Sequence, residues 1–480
     1  MRHHELFIGG TWRRPTGAAT IEVVSPHTEE PIAQVAAATP DDVDAAVAAA
    51  RMAFDEGPWP RLAPAERVAA IRRLTDRYGE RTAEMAEVIT AELGAPISFA
   101  QRAQVGLPAL MMGAFCDLAD AFPWTELRRG RYGADIRIRR EPVGVVAAVV
   151  PWNMPQFLIV TKLVPALLAG CTVVVKPAAE SPLDALLLAE MLGELDLPPG
   201  VVSVLPGDGT AGGHLVAHPG IDKVSFTGST ATGKAVAAAC ATRLCRVSLE
   251  LGGKSAAIVL DDADPQQVAA AVRSASLSNS GQICNALTRV LVPASRADDF
   301  VDALVTELES IVVGDPTDPA TQMGPLVSRR QRQRVLAYIE SGLDEGARLA
   351  TGGVGMPDGL SRGWYVRPTL FVGDNSMTIA REEIFGPVLT VIPYADEDEA
   401  LRIANDSDYG LAGSVFTADT DRGLAVAERI RTGTFGVNQG YTMDPFAPFG
   451  GVKASGYGRE LGTEGIEGYT ETKSIAVAGP

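Results

Sequence analysis

Residues 141–176 read EPVGVVAAVVPWNMPQFLIVTKLVPALLAGCTVVVK, and between Glu141 and Lys176 the only charge is Lys162. Val143–Val150 and Thr172–Val175 are rich in β-branched residues, with apolar, helix-compatible residues between them. Pro142, Pro151, Asn153, Pro155, Gln156 and Pro165 interrupt the stretch, so no apolar run reaches the ~20 residues that a membrane span needs. It reads as buried strands and a turn inside a globular core. Downstream, a helical pattern over Leu183–Leu195 leads to a strand at Val201–Leu205 and a glycine-rich turn. A strand at Lys223–Phe226, a second such turn, a helix over Lys234–Leu244 and a strand at Arg246–Leu251 follow. Strands alternating with helices predict a parallel α/β sheet, which places ligands at the carboxyl ends of its strands.

The alternation resumes after Leu251, with helices at Pro265–Asn279 and Asp298–Ser310 and strands at Arg289–Val292 and Val388–Ile392, predicting a second α/β domain. Upstream, Thr39-Pro40-Asp41-Asp42 opens a helix, and a second helical region spans Pro64 to Leu93, ending at Gly94. In Ala134–Arg140, apolar Ala134, Ile136 and Ile138 alternate with Asp135, Arg137 and Arg139, the period of a strand with one wet face. Ser474–Val477 is also strand-like, and such segments often pair with another subunit.

A 480-residue chain has room for more than one core, and 46% hydrophobic with 21% charged residues is the balance of a globular protein. The net charge of −17 argues against nucleic acid and anionic membrane as partners. Met1–Gly10 lacks the apolar core of a secretory signal, and the five cysteines are unclustered with no CxxC spacing. The expectation is a soluble, cytoplasmic protein with free thiols and no metal. All five histidines lie at or before His218, so chemistry in the second half must draw its base from another residue type.

Gly207-Asp208-Gly209-Thr210-Ala211-Gly212 matches the G-x-G-x-x-G dinucleotide pattern but lacks the acid about 20 residues on, and reads more simply as a turn. Gly228-Ser229-Thr230-Ala231-Thr232-Gly233-Lys234 approaches a P-loop, but Ala235 replaces the hydroxyl that would bind magnesium. What remains is a small-residue loop at a helix N-terminus, suited to a diphosphate without metal. Cys284, in the polar turn Asn279-Ser280-Gly281-Gln282-Ile283-Cys284-Asn285, is either a small buried hydrophobe or an exposed nucleophile. Cys116, Cys171, Cys240 and Cys245 have apolar or helical surroundings and read as inert. Glu250, leaving a strand just before Gly252-Gly253, is either a solvated loop acid or a cleft carboxylate with the raised pKa of a general base. Asn153 is either a turn asparagine or an oxyanion donor.

Together these residues resemble the aldehyde dehydrogenase superfamily along nearly the whole chain. The motifs are Pro151-Trp152-Asn153, Lys176-Pro177, Phe226-Thr227-Gly228-Ser229, Glu250-Leu251-Gly252-Gly253-Lys254 and Gly281-Gln282-Ile283-Cys284. They continue with Glu382-Glu383-Ile384-Phe385-Gly386-Pro387, Asn438 and Pro448-Phe449-Gly450-Gly451-Val452-Lys453. The resemblance implies oxidation of an aldehyde to the acid with NAD or NADP, NAD being favoured. Cys284 would add to the aldehyde, Asn153 and the Cys284 N–H would hold the oxyanion, and hydride transfer would leave a thioester. Water activated by Glu250 would then hydrolyse it. Lys176 would reach the adenosine ribose and Ser229 the diphosphate, while Glu383 would hold the nicotinamide ribose and Phe385 flank the ring. Val149, Val150, Pro151, Trp152, Phe226, Thr227, Gly228, Thr232, Leu251, Gly252 and Phe449 complete the implied cofactor contacts.

The fold implied is α/β: a Rossmann-type cofactor domain (1–123 and 144–252), an α/β catalytic domain (253–454) and a small β oligomerisation arm (124–143 and 455–480). It implies a homodimer or a homotetramer built as a dimer of dimers. Three positions depart from the family pattern. Ala179 stands where NAD-preferring members commonly carry a glutamate, with Glu180 next to it; either Glu180 substitutes or the site accepts NADP. Met154 replaces an aromatic, and Thr161 lies where some members carry a tunnel-lining tryptophan. The rival readings are a CoA-acylating semialdehyde dehydrogenase, against which Glu250 argues, a thiol hydrolase or acyltransferase without nicotinamide, and a non-enzymatic relative.

Overall fold

The computed structural model describes residues 3–132 and 135–477. The β-branched runs form the centre of an eight-stranded sheet. From one edge its order is Gly456–Tyr457, Arg246–Glu250, Lys223–Thr227, Val145–Val149, Thr172–Lys176, Val202–Val204, Leu6–Ile8 and Thr11–Arg13. The five inner strands are parallel, and the edge strands run antiparallel. The chain first moves outward from Val145–Val149 through Thr172–Lys176 to Val202–Val204, then returns to lay Lys223–Thr227 on the opposite flank. Strand order therefore reverses between Val145–Val149 and Lys223–Thr227, where the diverging loops leave a crevice for a ligand.

The helix Pro155–Ala169 begins with proline in its first turn and ends at Gly170, whose φ of 96° only glycine adopts freely. It is buried on every face, which is why the stretch looked membrane-like. Among the described residues no helix is long and apolar enough to cross a membrane.

A second, seven-stranded sheet has the order Arg348–Thr351, Thr369–Val372, Val388–Tyr394, Arg289–Pro293, Ala256–Val259, Gly413–Phe416 and Gly436–Val437. All its pairings are parallel except the first. Thr470–Val477, Asp135–Pro142 and Thr125–Arg129 make a three-stranded antiparallel sheet. The alternation expected over Ala134–Arg140 appears in it as exposed Asp135, Arg137 and Arg139 against buried Ile138; Ala134 lies outside the described residues.

Two expectations are corrected. The helical region Pro64–Leu93 is two helices, Pro64–Glu80 and Thr82–Leu93, because the backbone leaves helical geometry at Arg81 (φ −114°, ψ 17°). The helix expected from Lys234 starts at Thr230, since the Ser229 hydroxyl accepts the Thr232 N–H and caps it.

Two buried carboxylates lie under the helix Leu183–Gly193. Glu92 accepts the N–H groups of Leu183 (2.9 Å) and Asp184 (3.0 Å), while Gln156 Nε2 donates to Asp184 Oδ2 at 2.6 Å. Burial pushes both carboxyls up, that of Asp184 to about 7. A raised folded pKa means that the fold binds a proton which the unfolded chain releases near pH ~4. The stabilisation is complete below that pH and is lost as pH rises through about 7. Urea midpoints measured from pH 4 to 8 should fall with a shallower slope in Asp184→Asn than in the wild type; parallel slopes would remove this pair from the pH dependence.

Candidate active site

The crevice at the strand reversal opens into a cavity of about 470 Å³ between the two large sheets. Cys284 reaches it through a left-handed turn: Asn279 (φ 53°), Ser280 (φ 58°) and Gly281 (φ 73°) in succession. Two non-glycine residues in this region carry strain that only surrounding contacts sustain. Those contacts are present. Ser280 Oγ donates to the Gly324 carbonyl (2.8 Å), Asn279 Nδ2 to the Asn153 carbonyl (2.9 Å), and the Val327 N–H to Gln282 Oε1 (3.0 Å). A Cβ on Gly281 would lie 2.3 Å from the Gly386 oxygen, and one on Gly253 would lie 2.6 Å from the Cys284 oxygen. The glycines of both motifs are thus required by close backbone approach around the thiol.

Asn153, buried, directs its side-chain Nδ2 at the Gln282 carbonyl (3.1 Å), so the amide lies against the cysteine turn. Glu250 ends its strand in register with Thr227. It is 4% exposed and neither carboxylate oxygen has a hydrogen-bond partner. Burial first, then the charge of Glu460, raises its pKa well above the usual carboxylate range, with Lys162 and Arg459 opposing. It does not itself line the cavity; a Cβ on Gly450 would lie 2.6 Å from its Oε1, so glycine leaves the carboxylate its space. Cys284 is partly exposed, and burial followed by the charges of Glu250 and Glu383 pushes its thiol up to about 12. The resting thiol is therefore protonated and needs a base.

Sequence reasoning missed two charged residues here. Lys162 Nζ donates to Glu460 in a fully buried ion pair beside Glu250. The signal for Lys162 was present, because a single charge in a buried helix requires a partner; Glu460, 298 residues away, carried none. Thr161, at the position where some members carry a tunnel-lining tryptophan, does not line this cavity. Thr161 is fully buried and donates to Glu460 Oε2 at 3.0 Å, because its hydroxyl finds a carboxylate on the inner face of the helix. Met154 does line the cavity, with Phe157, Leu158, Ile283 and Met443.

Of the residues expected to hold a cofactor, Pro151, Trp152, Thr227, Gly228, Ser229, Leu251, Gly252, Glu383, Phe385 and Phe449 line the cavity. Val149, Val150, Lys176, Phe226 and Thr232 do not. Lys176 is the register partner of Val149, and Thr232 is exposed on the first turn of its helix. The Gly253 N–H donates to Glu383 Oε1 (3.0 Å), and burial pushes that carboxyl up to about 7. A Cβ on Gly252 would strike the same carboxylate. Phe385 (φ 61°) sets its ring edge-on to Trp152 at 5.4 Å.

The two glycine loops part company. At Gly207–Gly212 the Asp208 carboxylate takes the N–H groups of Thr210 and Ala211, so that helix end is occupied by its own cap. At Gly228–Lys234 the Ser229 cap takes one N–H, and the Thr227 hydroxyl is buried with no partner. The open helix end, the orphaned hydroxyl and the close Gly252–Glu383 approach fit a dinucleotide. Burial lowers the pKa of Lys176, and Glu180 pairs across the cleft with Arg330 at 3.1 Å.

The sequence pattern of the aldehyde dehydrogenase family matches residues 12–475. The geranial dehydrogenase of Castellaniella defragrans is 45% identical over 478 residues, covering 99% of each chain. An aldehyde dehydrogenase of Mycobacterium tuberculosis, complexed with NAD+, superposes with a TM-score of 0.97 at 49% identity, over 99% of this chain and 98% of that one. An alanine mutant of a Pseudomonas syringae aldehyde dehydrogenase, complexed with NAD+ and octanal, gives 0.95 at 44% identity, over 98% and 96%.

The charges around Cys284 predict its reactivity. Site-resolved alkylation by iodoacetamide in the ligand-free protein should keep accelerating beyond pH 9. In Glu250→Gln, which removes a raising charge, the curve should move to lower pH. A wild-type plateau below pH 8 would contradict the protonated resting thiol.

Proposed function

The chain belongs to the aldehyde dehydrogenase family, and from that premise we propose how its residues oxidise an aldehyde to the carboxylic acid with NAD(P)+. The observation that carries the reading is the meeting of Cys284, Glu250 and Asn153, from three separate segments, at the strand reversal. Glu250, whose dry surroundings raise its affinity for a proton, takes the thiol proton. The Cys284 sulfur then attacks the carbonyl carbon, and Asn153 Nδ2 with the Cys284 N–H stabilises the oxyanion. Bound NAD(P)+ supplies the acceptor for the hydride that leaves the thiohemiacetal carbon. Glu250 sheds the thiol proton to solvent and, ionised again, draws a proton from water, whose oxygen attacks the thioester and releases Cys284. The buried Lys162–Glu460 pair beside Glu250 supports a route by which that proton leaves.

Lys176 is assigned to the adenosine ribose, Ser229 and its loop to the diphosphate, Glu383 and Phe385 to the nicotinamide end. Val149, Val150 and Phe226 are assigned to the strand ends behind the cofactor, and Thr232, exposed on the first turn of its helix, to the diphosphate loop with Ser229. NAD is placed ahead of NADP, supported by the NAD+ complexes of the similar structures. The eight-stranded sheet supports a cofactor domain of 1–123 and 144–252, the seven-stranded sheet a catalytic domain of 253–454. The three-stranded sheet supports an arm drawn from 124–143 and 455–480. Its exposed Leu127, Ile475 and Val477 favour a homodimer or homotetramer, and five free cysteines favour the cytoplasm.

The cavity wall not given to the cofactor consists of Met154, Phe157, Leu158, Ile283 and Met443. Arg334 and Gln331 are spent on the Glu383 and Phe385 carbonyls, and Arg330 on Glu180. The wall beside Cys284 is thus apolar, and the substrate it fits best is an apolar aldehyde. The relatives named for geranial and bound to octanal support this. Following reduced-nicotinamide absorbance without CoA, kcat/KM should rise about fourfold per methylene along the linear aldehydes until the cavity fills, from about 0.8 kcal/mol per buried CH2. Succinic semialdehyde should be poor, and Cys284→Ser inactive. Turnover that appears only with CoA would favour the acylating rival, and a preference for the semialdehyde would overturn the substrate class.

A further inference from the structure

Cys240 and Cys245 lie outside the cavity, and the way the helix Thr230–Ala241 ends brings them together. The Cys245 N–H donates to the Cys240 carbonyl (3.0 Å) and the Leu244 N–H to the Ala241 carbonyl (3.3 Å), while Leu244 turns left-handed (φ 56°). This is the Schellman ending of a helix, in which the residue beyond the left-handed one packs its side chain on the residue five before it. Glycine usually holds the left-handed position. Leu244 holds it here with a 92% exposed side chain, so no burial of its own compensates the strain. The packed pair that normally is two hydrophobes is here two thiols, and the Cys245 thiol is turned to the Asp222 and Arg246 carbonyls (3.3 and 3.4 Å). Cys240 is buried and Cys245 is partly exposed, so one sulfur meets solvent and the other stands behind it.

We propose that Cys240 and Cys245 form a reversible disulfide, an oxidation site separate from the catalytic thiol. The exposed member is the more reactive. The neighbouring Cys240 thiol first, and Arg243 as well, bring Cys245 down to about 7, whereas Cys240 is raised. With hydrogen peroxide as oxidant, the Cys245 thiolate attacks one oxygen and expels hydroxide, giving a sulfenic acid. The Cys240 sulfur then attacks that sulfur, the S–O bond breaks, and the oxygen leaves as water with the Cys240 proton. Two thiols and one peroxide become one disulfide and two waters. The cross-link would tie the end of the helix begun at Ser229 to the start of the strand that ends in Glu250. The other cysteines differ: burial pushes Cys116 and Cys171 up to about 11, and neither has a thiol partner in any hydrogen bond described.

Trypsin provides a direct readout, because Arg243 lies between the two cysteines and cleavage separates residues 235–243 from 244–246. The purified protein is treated with stoichiometric hydrogen peroxide, blocked with N-ethylmaleimide in denaturant, digested and analysed by mass spectrometry. Most of Cys245 should be recovered in the linked peptide pair, released by dithiothreitol, while Cys116 and Cys171 remain fully alkylated. In Cys240→Ser, with dimedone present, Cys245 should instead carry the dimedone adduct. A dimedone adduct on Cys245 of the wild type with Cys240 still alkylated would overturn the proposal, as would oxidation confined to Cys284.

Discussion

A carboxylate held almost dry, with neither oxygen hydrogen-bonded, is the condition on which the site depends. In water Glu250 would be a weak base at neutral pH; burial raises its affinity for a proton, the direction that general-base work requires. The fold creates that burial by ending the strand Arg246–Glu250 beneath the glycine-rich segment around Gly450. Lys162 limits the cost by placing a compensating charge close by, while its partner Glu460 adds to it. Glu460 raises the Glu250 pKa and Lys162 lowers it, so the base is set by a balance of two opposed neighbours rather than by desolvation alone.

The thiol answers to the same constraint. Burial first, then carboxylate charge at Glu250 and Glu383, raises the Cys284 thiol in the ligand-free site, so nucleophile and base are matched as acid and acceptor. Their placement depends on backbone rather than side chains. The left-handed turn Asn279-Ser280-Gly281 projects the cysteine, and Gly253 lets the strand-end loop touch its carbonyl. Larger residues at either glycine would separate sulfur from carboxylate without altering the chemistry of either.

Much of this was legible beforehand. The β-branched runs at Val145–Val149 and Thr172–Lys176 announce buried parallel strands, since both faces must be apolar. Cys284 and Asn153 stand out because each lies in a polar turn that follows a regular element, and Glu250 because it ends a strand just before Gly252-Gly253. What remained hidden depends on contacts distant in sequence. Thr161 and Lys162 read as a substrate wall and an isolated charge, and only the arrival of Glu460 from the far end of the chain gives either its partner. The break at Arg81 was hidden for a different reason: the apolar period continues through it, and the side chain is drawn to Glu84 and Glu190. The early helix start at Thr230 rests on one cap, which small residues do not advertise.

The claim most exposed to refutation is that Glu250 activates the water that frees the acyl group from Cys284. Intact-protein mass spectrometry of Glu250→Gln, mixed with octanal and NAD+ and quenched in acid, tests it directly. The account predicts one acyl adduct per chain, located on Cys284, formed more slowly than in the wild type because the thiol has also lost its base, and persisting long after the wild type has returned to its unmodified mass. An unmodified Glu250→Gln that turns over at the wild-type rate would contradict it and assign the hydrolytic base elsewhere.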